Sequence, residues 1–151
     1  MALTVSVLLG ILTSCGSTVP NTTTTYKASL AGTNEVPAVV STGTGSVTAT
    51  LDTTTGVLTV NGSYEKLSGA VTAPGALMSG AHIHGPSSTG ANAAVLFNLE
   101  VKAGATTGSG TISGTATLTA AQVAEINAGK YYVNLHTVSH PNGEVRGQLS
   151  R

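Results

Sequence analysis

Three of the chain's four histidines stand where one metal ion could collect them. Ala81-His82-Ile83-His84-Gly85 alternates in strand fashion. Successive side chains of a strand leave opposite faces, so His82 and His84 share a face about 7 Å apart while Ile83 turns to the other. His136 belongs to a second alternating stretch, Tyr131-Tyr132-Val133-Asn134-Leu135-His136-Thr137. There Val133 and Leu135 take one face, and Tyr132, Asn134 and His136 the other. Imidazole is the commonest protein ligand for metals, and three of them hold one copper or zinc ion with a coordination position left open. Two readings stand: a metal site on the outer face of a sheet, or polar, half-exposed strand residues hydrogen-bonded to loops. His140 lies in the following turn, as a further ligand or as a solvated loop residue.

The closing segment adds a cation. Pro141-Asn142-Gly143 is a strong turn signal. The strand after it puts Val145 and Leu149 inward, which leaves Glu144, Arg146 and Gln148 on the outer face with His136. Arg146 then serves either a structural ion pair with Glu35 or Glu144, or the electrostatic guidance of an anion toward a metal. Other chemistries find little support. The chain has no Gly-x-Ser-x-Gly elbow for a nucleophilic serine, and Gly43-Thr44-Gly45 and Gly108-Ser109-Gly110 open strands rather than the helix that a phosphate loop requires.

The elements that must carry these residues are strands. Alternation marks Tyr26 to Ala31, Gly45 to Asp52, Val57 to Glu65, Ser79 to His84, Ala94 to Val101, Gly108 to Leu118, Tyr131 to Thr137 and Glu144 to Leu149. One helix interrupts them over Ala120 to Ala128, opened by the capping-box pattern Thr119-Ala-Ala-Gln122 and closed by Gly129. The expected fold is all-β, an antiparallel Greek-key β-sandwich or barrel of about eight strands with one short helix. Charged residues make up 8% of the 151 and net charge is zero; without a basic patch, nucleic acid is not an expected partner.

The N-terminus reads as a targeting segment. The apolar run Leu3 to Leu12, about ten residues where a spanning helix needs about 20, ends at Leu12-Thr13-Ser14-Cys15. That tetrapeptide resembles the bacterial lipobox, whose cysteine is acylated, and Cys15 is the only cysteine in the chain. The organisation expected is a signal peptide over residues 1–14, a Thr-rich tether over 15–25 and one domain over 26–150. The protein would be exported and anchored in a bacterial cell envelope through a lipid on Cys15.

Leu30-Ala31-Gly32-Thr33-Asn34-Glu35-Val36-Pro37, Ala81 to Gly85, Ala128 to Thr137 and Asn142 to Leu149 together resemble the CHRD domain, named for its repeats in chordin. The resemblance covers Tyr26 to Leu149. It implies an extracytoplasmic binding or structural module. A looser likeness is to copper-zinc superoxide dismutase, a Greek-key sandwich with a His-x-His strand, a late strand ending in His and a Gly-x-x-Arg-Gly segment. That likeness implies copper ligands at His82, His84 and His136, with Arg146 as the guide for superoxide. The chain lacks that family's disulfide and zinc-binding cluster, so the likeness stops at the copper subsite. Three functions therefore stand: a membrane-tethered module that binds an envelope protein, its histidines stabilising the fold through a metal; a periplasmic copper-binding protein; and a copper enzyme of the dismutase type.

Overall fold

The computed structural model describes residues 22–151 apart from 74, 76 and 78. Cys15 and the apolar run lie outside the described residues. Eight strands, β1 (Thr23–Ala31), β2 (Thr44–Asp52), β3 (Val57–Glu65), β4 (Ala81–His84), β5 (Val95–Ala103), β6 (Gly110–Thr117), β7 (Tyr132–Leu135) and β8 (Val145–Gln148), and one helix, α1 (Ala120–Asn127), make up the domain. The strands close into a barrel in the order β1-β2-β3-β6-β5-β4-β7-β8, and every pairing is antiparallel. The Greek-key expectation is met in its closed, barrel form, which leaves no sheet edge open. Among the described residues no helix is long and apolar enough to cross a membrane.

Local chemistry accounts for the connections. Asp52 Oδ1 accepts from the Thr54 and Thr55 amides at 2.8 and 3.1 Å, which folds the β2–β3 hairpin turn. Thr119 Oγ1 accepts from Gln122 N at 3.3 Å while Gln122 Oε1 accepts from Thr119 N at 2.9 Å, the reciprocal capping box expected at the start of α1. Some boundaries differ. β1 begins at Thr23, so Thr23–Thr25 pair with Thr50–Asp52 in the ladder instead of belonging to a tether. β4, β7 and β8 are four-residue strands, shorter than their alternating sequences, because the residues beyond them turn into loops that are bonded elsewhere.

β1, β2 and β3 bury every second residue, as half-buried strands do. β4 and β7 bury every residue. Ala81, Ile83, Val133 and Leu135 face the apolar interior. Their outer-face partners are covered by loops, which draws the polar residues of these two strands out of water.

Glu144 fastens one end of the barrel. Its carboxylate is 0% exposed. Oε1 accepts from Ser41 Oγ and Ser68 N at 2.7 Å, and Oε2 from Ser68 Oγ at 2.7 Å and Thr137 Oγ1 at 2.6 Å. One side chain thus ties the β1–β2, β3–β4 and β7–β8 loops together. Burial by itself would raise the Glu144 pKa, but the bonds from Thr137, Ser68 and Ser41 outweigh it and hold the group at about 2. A carboxyl depressed in the fold stabilises it fully above its ordinary value of 4.5 and loses that contribution as pH falls toward 2. Glu144→Gln should cost about 2–4 kcal/mol at pH 7, since it leaves hydroxyl and amide donors facing an NH2 group. Urea unfolding at pH 7 and at pH 3 tests this: the gap between wild type and variant should narrow in acid.

Candidate metal centre

The register assembles the site. β4 pairs with β7 so that His82 faces Asn134 and His84 faces Tyr132. His136, one residue past β7, is held beside β4 by its own amide, which donates to Gly80 O at 2.8 Å. On the outer face, therefore, His82 lies diagonal to His136 and two residues from His84. Ring centroids are 5.1 Å apart for His82–His136, 5.6 Å for His82–His84 and 6.5 Å for His84–His136. One nitrogen from each ring lies within 4.8 Å of the others. A bulge between Ile83 and His84 in the β4–β5 ladder re-aims the strand at the second histidine. Gly85, just beyond, must be glycine: a Cβ there would lie 2.4 Å from the Tyr131 ring.

The histidines are not half-exposed on an open sheet face. His82, His84 and His136 are 0%, 9% and 6% exposed. The roof consists of three loops, entered at Glu35–Pro37, Ala93 and Asn142. Two of these orient the rings. His84 Nδ1 donates to Ala93 O at 3.0 Å and His136 Nδ1 to Pro141 O at 2.9 Å. A carbonyl only accepts, so both Nδ1 atoms carry the proton and both Nε2 atoms present a lone pair. Backbone carbonyls hold metal-ligating histidines in this way. Among the described residues neither His82 nitrogen has a hydrogen-bond partner, although the Ser79 carbonyl is close enough to favour its protonated form slightly. Burial lowers the pKa of all three. For His82, burial and the neighbouring His136 and His84 bring it to about 4. The cluster is neutral at physiological pH.

The other candidates fall elsewhere. His140 is outside the cluster: its Nδ1 lies 3.4 Å from Glu144 Oε2 and 3.2 Å from Ser68 Oγ. Arg146 makes neither expected contact. Its guanidinium lies 3.3 Å from the centroid of the Tyr132 ring, donates through Nη1 to Asn92 Oδ1 at 2.9 Å and through Nη2 to Ala91 O. Among the described residues no carboxylate forms a salt bridge with it. Glu144 is satisfied by hydroxyls, and Glu35 accepts from Asn134 Nδ2 at 2.6 Å. Burial raises the Glu35 pKa to about 7, with the Arg146 charge and the Asn134 bond only partly opposing it.

The alternation of the second histidine stretch marked Tyr132 and Asn134 as outward-facing but not as part of the site. Tyr132 stacks on His84 at 4.8 Å and 3°, and its hydroxyl accepts from Ala93 N at 3.1 Å. Asn92 had no signal in the sequence; its Nδ2 donates to Val36 O at 2.9 Å and joins two of the roofing loops.

The CHRD-domain model matches residues 26–149, the span that the sequence resemblance covers. No curated protein and no solved structure matches the chain.

Arg146, Tyr132 and Ala91–Ala93 form a latch over His84. A desolvated cation–π contact contributes about 2 kcal/mol and a hydrogen bond from a charged donor about 1.5–3 kcal/mol. Arg146→Ala should therefore lower stability by about 3–5 kcal/mol and raise hydrogen exchange at Ala91–Ala93. Arg146→Lys should recover less than half of that, because an ammonium cannot stack flat on Tyr132 and reach both oxygens.

Proposed function

The chain belongs to the CHRD-domain family, and on that premise we propose that it is an exported, lipid-tethered binding module whose barrel holds one copper or zinc ion on His82, His84 and His136. One observation carries the metal reading. Among the described residues, the buried side-chain atoms without a hydrogen-bond partner are His82 Nδ1 and Nε2, His84 Nε2, His136 Nε2 and Asn134 Oδ1. All of them belong to this cluster. Each unpaired buried polar atom costs about 1–3 kcal/mol, so together they rival the whole stability of a small domain. A water molecule has two protons and can satisfy two of three converging lone pairs. A single cation satisfies all three.

The donor set narrows the ion. Three neutral imidazoles without thiolate or carboxylate suit copper or zinc and disfavour magnesium, calcium and manganese, which prefer oxygen. Arg146 is committed to Tyr132, Asn92 and Ala91, which removes the free cation that anion steering needs. Holding or delivering the ion is favoured over dismutase-type turnover for that reason.

Chain direction sets how a tether would present the domain. The described chain enters beside the β2–β3 turn, where Thr53 N donates to Thr22 O at 2.7 Å, and β1 runs from there toward the end that carries Glu144 and His136. An anchor ahead of Thr22 would hold the metal-bearing end away from the membrane.

Calorimetric titration should give one Cu(II) or Zn(II) per chain. His82→Ala, His84→Ala and His136→Ala should each weaken binding at least tenfold, and His140→Ala by much less. Equal, negligible effects of the first three would remove the metal reading. For the tether, Cys15→Ala should move the protein from the membrane to the soluble fraction. A variant that stays with the membrane contradicts acylation at Cys15.

A further inference from the structure

Beside His84 and His136 lies a cavity of about 370 Å3, lined also by Asn134, Glu35, Asn92, Asn142 and Tyr132 with a few small apolar groups. It has room for a small ligand, and one carboxyl and three carboxamides stand among its walls. Asn134 is 3% exposed, and its Oδ1 has no partner. Its Nδ2 is already bound to Glu35 Oε1 at 2.6 Å, which fixes the orientation of the amide. Gly143 passes so close over this pair that a Cβ would meet Asn134 Nδ2 at 2.4 Å and Glu35 Oε1 at 2.7 Å, so the loop clamps the pair in place. Across the ladder Asn134 faces His82, and two residues on along the same face comes His136. A buried acceptor therefore shares the cavity wall with His84 and His136 and sits opposite His82 in the ladder.

We propose that this fourth ligand is a small oxygen ligand that carries a proton, with Asn134 Oδ1 as the acceptor of its hydrogen bond. Water fills the role at rest, and a hydroxyl-bearing molecule of similar size replaces it. The inference deepens the metal reading and rests on it. An ion that took Asn134 Oδ1 directly as a ligand would pull the side-chain amide toward itself and draw Nδ2 from its hydrogen bond to Glu35 Oε1. A proton-bearing oxygen on the ion satisfies it in place. An anion such as azide coordinates but has nothing to donate, so it leaves Asn134 Oδ1 buried and unpaired.

The test is an azide titration of the Cu(II)-loaded protein, followed by its charge-transfer absorption. Asn134→Ala removes the acceptor, so azide no longer strands it and should bind at least fivefold more tightly than to wild type. Azide affinity that is unchanged or weaker overturns the proposal. Because Asn134→Ala also releases Glu35, a second measurement uses the wild type alone. A high-resolution structure of the copper-loaded protein should place the ion's oxygen ligand about 2.6–3.0 Å from Asn134 Oδ1, and a ligand beyond hydrogen-bonding distance overturns the proposal as well. Failure of wild type to take up copper or zinc at all would instead defeat the metal reading, which the titration of the histidine variants detects separately.

Discussion

Everything distinctive in this barrel follows from burying both faces of the β4–β7 pair. Most strands of a closed antiparallel barrel leave one face in water, and polar residues there need no partner. β4 and β7 have apolar residues toward the interior and loops packed over the outside. Their outer set, His82, His84, Tyr132 and Asn134, then has to find partners within the protein or in something bound to it. The loops supply some of them: Ala93 bonds His84, Pro141 bonds His136 and Glu35 bonds Asn134. What remains unmatched is concentrated at one spot, and that concentration is the signature of a site.

Covering the pair demands that loops be held down, and two polar devices do it. Glu144 gathers three loops with four hydrogen bonds to hydroxyls and an amide. Arg146 gathers the β4–β5 loop through Asn92 and Ala91 while resting on Tyr132. A direct Glu144–Arg146 ion pair would have satisfied both charges but tied down neither loop. Buried ion pairs gain little over well-packed alternatives because desolvation offsets their attraction. Spending each charge on several neutral partners instead spreads the attachment over four connections between strands.

The barrel was legible in the sequence because each strand carries its own alternation and each turn its own chemistry. Asp52, Thr119 and Gln122 act within three residues of themselves, so their hydrogen bonds are readable locally. The three candidate ligands were legible for the same reason. What was not legible is the adjacency. β4 meets β7 only because the chain crosses over the barrel, and no local pattern states that His82 faces Asn134. Burial of the outer face was hidden too, since His, Asn and Tyr in alternation read as a solvated surface until a loop is known to lie over them. Arg146 shows the limit most clearly: its partners Ala91 and Asn92 are 55 and 54 positions away, in a stretch whose composition says only loop, while the carboxylates that suggested themselves by charge are engaged elsewhere.

The three imidazoles are not equally held, and the difference bears on how an ion would be taken up. Three nitrogens bound to one copper or zinc ion at about 2.0–2.1 Å lie roughly 3.4 Å apart, whereas here they are spread over as much as 4.8 Å. The ring set must contract. His84 and His136 are each fixed by a hydrogen bond from Nδ1, and His84 is also stacked on Tyr132. Moving either one breaks a bond. His82 has no such bond, and its ring lies closer to both neighbours than they lie to each other. Rotation of His82 is therefore the least costly adjustment, but it leaves the His84–His136 separation, the widest of the three, unchanged, so the two anchored rings must also yield toward the ion.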